Sequence, residues 1–354
     1  MISQIHEIVI VVLKAFSTKP SLRVVLNGRF SSWEDVLSGV PQGSVLGPLL
    51  FVIFINDMDD VVTQVDSLKK FADDTKLGKT VRTEKDREEL QAALDQLCTW
   101  ADKWGMVFNV DKCKVMHMGH QNPAFNYTMK GHMLEETMEE KDIGVMVTSN
   151  LKPSAQCARA AKTAQTVLGQ ISRTFHYRDR HVFVRLYQQY VRPHLEFSTP
   201  AWAPWTEADR NCLEKVQQRA IKMVSGLKSN TYEERLQELN MPTLLERRHQ
   251  ADMVMTHKIL HERGGLDHTT WFEKAENGPR ATRNTADPYN IKVKHGRLDL
   301  RRNFFSIRVI EDWNRIPADT KRMDKSENFK AAYRKMRANQ MDHAAERESV
   351  RVRH

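Results

Sequence analysis

Two adjacent aspartates, Asp73 and Asp74, lie between short segments that each contain apolar side chains, and they constrain the fold more than any other feature of this chain. On a continuous strand, neighbouring side chains point to opposite faces, so the two carboxylates would be separated. At a tight turn both can occupy the tip, where carboxylate oxygens can hold divalent cations. The sequence therefore predicts a β-hairpin whose tip carries Phe71, Ala72, Asp73 and Asp74.

A glycine- and proline-rich segment, residues 38–48, precedes the aspartates by about 30 positions. Glycine lets the backbone approach a ligand closely, and Pro41 fixes a turn. Gln42 offers both a hydrogen-bond donor and an acceptor. These residue types suit a loop that lies close to a bound ligand.

Composition indicates a globular chain that is long enough for two or three domains, with 354 residues and 40% hydrophobic content. The apolar run from Ile8 to Leu13 is too short to span a bilayer and lacks the basic flank of a secretory signal. We therefore expect an intracellular protein, nuclear or cytoplasmic. The four widely spaced cysteines fit no zinc or redox motif.

Positive charge is concentrated towards the end of the chain. The net charge is +9, and the stretch from Arg280 onward carries 19 basic against 10 acidic side chains. A basic region beside a neutral front suits a protein that binds a polyanion, although a solvated surface explains any single basic side chain equally well.

Two kinds of segment follow one another along the chain. Before residue 150, short strand patterns at 107–110, 115–118 and 142–147 accompany a helix that begins at a capping box of Thr83 and Asp86. After it, helical patterns dominate, with further boxes at Thr206 and Thr243. These helical patterns span residues 154–175, 180–191, 206–225 and 243–262. The polar end, from Asp342, predicts disorder.

Together, the segment Ser38–Pro48, the tetrapeptide Phe71–Asp74, the lysine segment Asn109–Lys114 and the hairpin segment Asp142–Val145 resemble, in this order, the reverse transcriptase of a non-LTR retrotransposon. The segment from Arg301 to Pro317 resembles the tail that follows the thumb in jockey-like and chicken-repeat-like elements. The implied fold is α+β: a partial right-hand polymerase palm, made of an antiparallel sheet with packed helices, an all-helical thumb and a basic tail. The expected domains are a divergent segment at 1–20, the palm at 21–150, the thumb at 151–265 and the basic C-terminal region at 266–354.

The resemblance implies an RNA-directed DNA polymerase that adds nucleotides by the two-metal route. Its partners would be an RNA template, a DNA primer and deoxynucleoside triphosphates, and its cofactor Mg²⁺, with Mn²⁺ as a substitute. Asp73 and Asp74 would hold the two ions, and Lys112 would lie near the triphosphate. Contacts to nucleotide or template are assigned to Ser38, Gly39, Pro41, Gln42, Gly43, Phe71 and Ala72. Contacts to the nucleic-acid backbone are assigned to Lys69, Lys70, Arg301 and Arg302.

Several roles have ordinary structural alternatives. Lys112 could face solvent, and the segment Asp142–Val145, which resembles the primer grip, could be a plain hairpin. Aromatic residues of the helical region could clamp a duplex or simply pack between helices. This set comprises Tyr187, Tyr190, Trp202 and Trp205, together with Pro193.

The family has a third metal-binding aspartate, which lies in its first motif, and this sequence shows no aspartate at the matching position. Lys14–Phe16 echoes its motif, but the metal-binding position then falls on Val11 and the closing aspartate on Ser17, and Glu7 is an unsupported substitute. We therefore expect a chain that lacks the endonuclease, the fingers and the first catalytic motif, with impaired synthesis. The alternatives are a catalytically silent nucleic-acid-binding remnant and a group II intron maturase, against which Phe71 argues because maturases usually carry tyrosine there.

Overall fold

The computed structural model describes residues 21–35, 45–275 and 287–352, with side chains as far as residue 340. The chain divides into two compact units, the first comprising residues 1–115 and 120–136 and the second residues 116–119 and 137–354. This division groups residues 137–150 with the helical part, whereas the sequence places its boundary at 150. The four domain bounds stay predictions.

Within the described residues, the first unit combines short strand pairs with three helices. Its strands are β1 Ser21–Leu22, β2 Val25–Leu26, β3 Arg29–Phe30, β4 Glu34–Asp35, β5 Ser67–Phe71, β6 Asp74–Gly78, β7 Lys114–Val115, β8 Thr128–Met129, β9 His132–Met133 and β10 Glu135–Glu136. They pair as β1–β4, β2–β3, β5–β6 and β8–β9, all antiparallel, and as the parallel pair β7–β10. The helices are α1 Gly47–Phe54, α2 Met58–Val61 and α3 Glu84–Lys103.

Helix α3 begins and ends where its sequence predicts. The Thr83 side chain accepts from the Asp86 amide, and the Asp86 carboxylate accepts from the Thr83 amide in return, which completes the capping box. Gly105, at a φ of 66°, ends the helix, and the Met106 amide donates back to the Ala101 carbonyl over 2.8 Å.

Two strand predictions fail. Of residues 115–118 only Val115 lies in a strand, at the end of β7. No strand forms at residues 107–110; a 3₁₀ turn at Val110–Lys112 follows instead. The Met106 amide closes helix α3, and the Asn109 carbonyl accepts from the Lys112 amide of the turn. This segment therefore uses its backbone groups locally and leaves few of them for a ladder.

Within the described residues, the second unit is helical apart from one hairpin, β11 Glu139–Asp142 with β12 Val145–Thr148, and an isolated antiparallel bridge between Lys274 and Ile291. Its helices are α4 Ser154–Thr174, α5 Arg180–Leu186, α6 Arg192–Glu196, α7 Thr199–Trp202, α8 Glu207–Lys222, α9 Tyr232–Glu238, α10 Leu244–Leu260, α11 Asp299–Arg302, α12 Phe305–Arg308, α13 Ile310–Asn314, α14 Ala318–Lys321 and α15 Ser326–Val352. A short π-helix at Tyr187–Val191 joins α5 to α6. The four predicted helical segments are confirmed, and α15 is helical where the polar end of the chain predicts disorder.

Helix α10 contributes to both cores of this unit. Its first residue, Leu244, belongs to an apolar cluster built mainly by α4, α5 and α8. Its second half, including Met253 and Leu260, packs with Trp313 and Phe329 of the C-terminal region. Among the aromatic residues considered for nucleic-acid contact, Tyr187 and Trp202 are buried, so for these two the core-packing alternative is confirmed.

The C-terminal core also encloses a charged side chain. Lys321 is 1% exposed, and its ammonium lies 3.1 Å from a carboxylate oxygen of Asp287 and 2.6 Å from the Asn290 side-chain oxygen. Burial lowers the pKa of Lys321, and the Asp287 carboxylate opposes that shift.

Among the described residues, no helix combines the length and apolarity needed to cross a bilayer.

A buried histidine gives this core a pH dependence that can be measured. His257 is fully buried, its Nε2 lies 2.7 Å from the Met323 carbonyl, and its ring stacks on Phe329. Since a carbonyl only accepts, Nε2 carries the proton of the neutral ring. Burial lowers the pKa of His257 from 6.5 to about 4.

We predict that stability falls as the pH drops from 6.5 to about 4. Between these pH values His257 binds a proton in the unfolded chain but stays neutral in the folded chain. The free energy of unfolding therefore falls by up to about 1.4 kcal/mol per pH unit. Urea unfolding followed by tryptophan fluorescence at several pH values measures it. The His257→Leu variant should lose this part of the slope and the exposed-site control His295→Leu should keep it; equal slopes in both variants would contradict the prediction.

Candidate active site

The predicted aspartate hairpin forms. Strands β5 and β6 pair antiparallel, with Phe71 opposite Asp74 as the last pair, so Ala72 and Asp73 make a two-residue turn. Ala72 has a φ of 51°, in the left-handed region that side chains with a Cβ seldom adopt. Phe71, Ala72, Asp73 and Asp74 are all exposed. Both carboxylates therefore lie at or beside the turn, in contact with solvent.

The two faces of the hairpin differ in character. Leu68 and Leu77, directly opposite each other, are half-buried and pack against the core of the first unit, which α2 and α3 form with Ile55 and Met106. On the other face, Lys69 lies opposite Lys76, and Phe71 lies opposite Asp74. Because paired residues share a face, Asp74 lies on the solvent side, in line with the two lysines.

Polar contacts hold the open end of the hairpin. The Thr80 amide donates to the Asp66 carboxylate over 2.6 Å, and the Lys79 ammonium donates to the Gln64 carbonyl over 2.8 Å. Lys79 also pairs with Glu89 of α3 at 2.7 Å. Hydrogen bonds from Thr80 lower the pKa of Asp66, and the Glu89 carboxylate raises that of Lys79. These contacts fix the position of the open end of the hairpin relative to α3.

Lys70 anchors the middle of the hairpin. Its ammonium donates to the Ile55 carbonyl over 2.8 Å and the Asn56 carbonyl over 3.4 Å, and lies 3.1 Å from a carboxylate oxygen of Asp59. These carbonyls follow the C-terminal end of α1, where a cation is favourable. The sequence assigns Lys70 to nucleic-acid contact, but the structure uses it internally; Lys69, its neighbour, is exposed.

The donor set at the tip suits a hard divalent cation, because exposed carboxylates supply oxygen ligands. Among the described residues, no third histidine, cysteine or carboxylate joins Asp73 and Asp74 in a tight group. Ligand atoms within 4.8 Å of one another occur instead at Glu262, Asp267 and His268 of the second unit. The hairpin thus presents two exposed carboxylates, one in its turn and one beside it.

The other site residues assigned from the sequence have varied placements. The segment with Ser38, Gly39, Pro41, Gln42 and Gly43 lies outside the described residues, as do Glu7, Val11 and Lys14–Ser17. Lys112 ends the 3₁₀ turn of the first unit and is exposed. In the second unit Arg302 pairs with Asp299, and the Arg301 guanidinium lies 5.2 Å from the centre of the Phe304 ring.

The segment Asp142–Val145 is the turn of hairpin β11–β12, as predicted. Ile143 and Gly144 both have positive φ, 43° and 86°, which matches the two-residue turns that suit a hairpin. A Cβ on Gly144 would lie 2.9 Å from the Phe197 ring, so the turn is packed closely against Phe197, the residue that follows α6. This second hairpin therefore has a fixed position within its own unit.

Sequence reasoning missed the anchoring roles of Asp66, Lys70 and Lys79. Their partners lie between 10 and 15 positions away along the chain. One usable signal existed for Lys70: it occupies an inward position of the alternating pattern of β5, and an inward lysine needs a partner.

We predict that Lys70→Met loosens the hairpin. The substitution removes charged hydrogen bonds to two carbonyls, each worth on the order of 1.5 kcal/mol or more. Hydrogen exchange of the β5–β6 amides should accelerate. The control Lys69→Met makes the same change on the exposed face and should leave exchange unaltered; equal acceleration in both variants would show that Lys70 is no anchor.

Part of the chain is similar in sequence to known reverse transcriptases. The profile of the family "Reverse transcriptase (RNA-dependent DNA polymerase)" matches residues 5–170. The "RNA-directed DNA polymerase from mobile element jockey" of Drosophila melanogaster is 26% identical over 226 residues, covering 61% of this chain and 25% of that protein. The protein of the same description from Drosophila funebris is 27% identical over 225 residues, covering 60% of this chain and 25% of that protein.

A third relative matches a shorter stretch. The "Probable RNA-directed DNA polymerase from transposon X-element" of Drosophila melanogaster is 33% identical over 104 residues, or 28% of this chain and 12% of that protein. The matched part thus spans about a quarter of the jockey proteins. Residues 5–170 of this chain therefore carry a reverse transcriptase domain of the non-LTR retrotransposon type.

Proposed function

We propose that hairpin β5–β6 is the metal-binding tip of a reverse transcriptase palm that extends a DNA primer along an RNA template with deoxynucleoside triphosphates. The supporting observation is the placement of Asp73 and Asp74 at a two-residue turn whose strands are anchored to the core. Asp73 and Asp74 would hold Mg²⁺, or Mn²⁺ in its place. Such ions stabilise the charge that develops during phosphoryl transfer.

The chain's own residues would mainly position the reactants. The turn presents both carboxylates away from the core, and Lys69 on the outer face of β5 supplies positive charge for a nucleic-acid backbone. Phe71, exposed beside Asp74, offers a flat surface to a sugar or a base. The roles of Lys112 near the triphosphate and of Ser38, Gly39, Pro41, Gln42 and Gly43 at the nucleotide remain part of this proposal.

The helical second unit would act as the thumb, with its basic C-terminal region on the nucleic-acid backbone. Tyr190 is exposed and Trp205 is half-buried, so both keep ring surface that a nucleic acid could contact. Hairpin β11–β12 would serve as the primer grip, and its closely packed turn gives it the fixed position that such a role needs.

We also propose that this chain by itself synthesises DNA poorly. Two carboxylates at the tip leave part of the coordination to other ligands, and no third ligand group joins them within the described ranges. Loss of a single group that stabilises transition-state charge costs about 10²–10³-fold in rate in other enzymes. The silent, nucleic-acid-binding alternative is an outcome of the test that follows.

We predict that the full chain incorporates labelled nucleotide on a poly(rA)·oligo(dT) substrate with Mg²⁺, and that Asp73→Asn lowers incorporation by about 10²–10³-fold. Chelation of Mg²⁺ should abolish it. The matched control is Asp319→Asn, the same change at an exposed residue of α14 in the second unit, which should keep the full rate.

Incorporation that is equal in Asp73→Asn and in the unmodified chain would contradict the active-site assignment. Absence of incorporation together with salt-sensitive binding of the substrate would favour the nucleic-acid-binding remnant, because phosphate contacts weaken as salt rises.

A further inference from the structure

The second unit contains a groove between strand β12, the segment that follows α7, and the α11–α12 region. Its volume of about 470 Å³ lies within the range of sites that hold a small organic molecule or a nucleotide. Aromatic and basic side chains share its walls. We call it the arginine–aromatic groove and define it by Lys152, Trp205, Arg301, Phe304 and Arg308.

The charged side chains that line the groove are all basic. Its lining includes Lys152, Arg301 and Arg308, and none of the described residues that line it is acidic. The Arg308 guanidinium is neutralised by Asp252, with bonds of 3.0 and 2.8 Å. Lys152 and Arg301 are both exposed, and neither forms an ion pair within the described part of the chain. Two cations therefore remain for an anion that enters the groove.

The walls are held in place by hydrogen bonds. Arg308 also donates to the Pro200 carbonyl over 2.9 Å and to the Asn303 carbonyl over 3.0 Å, so it joins α12 to the segment around α7. On the opposite side the Thr148 hydroxyl donates to the Lys152 carbonyl over 3.1 Å, and the Lys152 amide donates to the Asn150 side chain over 2.9 Å. Hydrogen bonds within the protein therefore hold both walls of the groove without a ligand.

Aromatic surface in the groove is accessible. Phe304 is 45% exposed, although a phenylalanine in a helical region of this size would ordinarily be buried. The Arg301 guanidinium lies 5.2 Å from its ring centre, and Trp205 is half-buried on the other side. An exposed ring beside an arginine presents two flat surfaces on which a nucleobase can stack.

We infer that the arginine–aromatic groove binds an unpaired nucleotide of a single-stranded nucleic acid, with the base against Phe304 and Trp205 and the phosphates near Arg301 and Lys152. The choice of nucleic acid rests on the proposed function together with the charge of the groove. Rings supply stacking that tolerates any base, and the cations supply the backbone contact. The groove is a binding site separate in sequence from the aspartate hairpin.

The test measures binding without synthesis. The full chain carrying Asp73→Asn, with chelator and without nucleotides, is titrated into fluorescein-labelled oligo(dT) or oligo(rU) of about 15 nucleotides, a length that covers common single-strand site sizes. Anisotropy gives the dissociation constant. We expect Phe304→Leu to weaken binding at least about fivefold and Arg301→Gln to weaken it about tenfold, whereas a fully paired duplex competes poorly.

Matched controls make the same changes outside the groove. Tyr177→Leu alters a ring that is 79% exposed, and Arg322→Gln removes an exposed charge. Both controls should bind like the parent. Circular dichroism and thermal unfolding check that each variant folds.

Equal weakening by Arg301→Gln and Arg322→Gln would show that binding depends only on the overall positive charge of the protein, and would overturn the inference. Unchanged binding by Phe304→Leu would overturn it as well. Competition by an acidic peptide but not by the oligonucleotides would assign the groove to a protein partner instead. Tighter binding of oligo(rU) or of oligo(dT) supports the inference and tells which strand is its natural source. Because no synthesis is required, a chain that fails primer extension can still pass this test.

Discussion

The register of hairpin β5–β6 is the constraint on which the candidate active site depends. Leu68 and Leu77 face the core as a pair, and this pairing sets Phe71 opposite Asp74 and leaves a two-residue turn. A slip of one residue would move every side chain of one strand to the other face, so Asp74 would point into the apolar core. Burial of two leucines thus determines where two carboxylates emerge.

Local patterns sufficed for much of the fold. The boxes at Thr83 and Thr243 fix helix starts through neighbours three residues away, and both form in the structure. The aspartate hairpin follows from two short segments with apolar side chains and the aspartate pair between them. The strand predicted at residues 107–110 failed because apolar alternation does not reveal that Met106 and Asn109 already use their backbone groups in a helix end and a turn.

Contacts between distant residues were not accessible from one sequence. The neighbouring sequence does not predict that Lys70 contacts the end of α1. It does not predict that Arg308 binds Asp252, 56 residues earlier, either. The arginine–aromatic groove is a product of such contacts, since its walls come from three separate segments. The resemblance to reverse transcriptases supplied residue roles that geometry alone would leave open, because two exposed aspartates at a turn occur in many proteins.

The central claim is that the tip of the hairpin binds a divalent cation, and its most direct measurement is metal-directed cleavage of the backbone. Fe²⁺ placed in the Mg²⁺ site, with ascorbate and peroxide, generates radicals that cut the chain beside the ion. The account predicts cuts near residues 72–74 that Mg²⁺ suppresses and that Asp73→Asn removes. Cuts confined to the neighbourhood of Glu262, Asp267 and His268, the group of ligand side chains in the second unit, would contradict it.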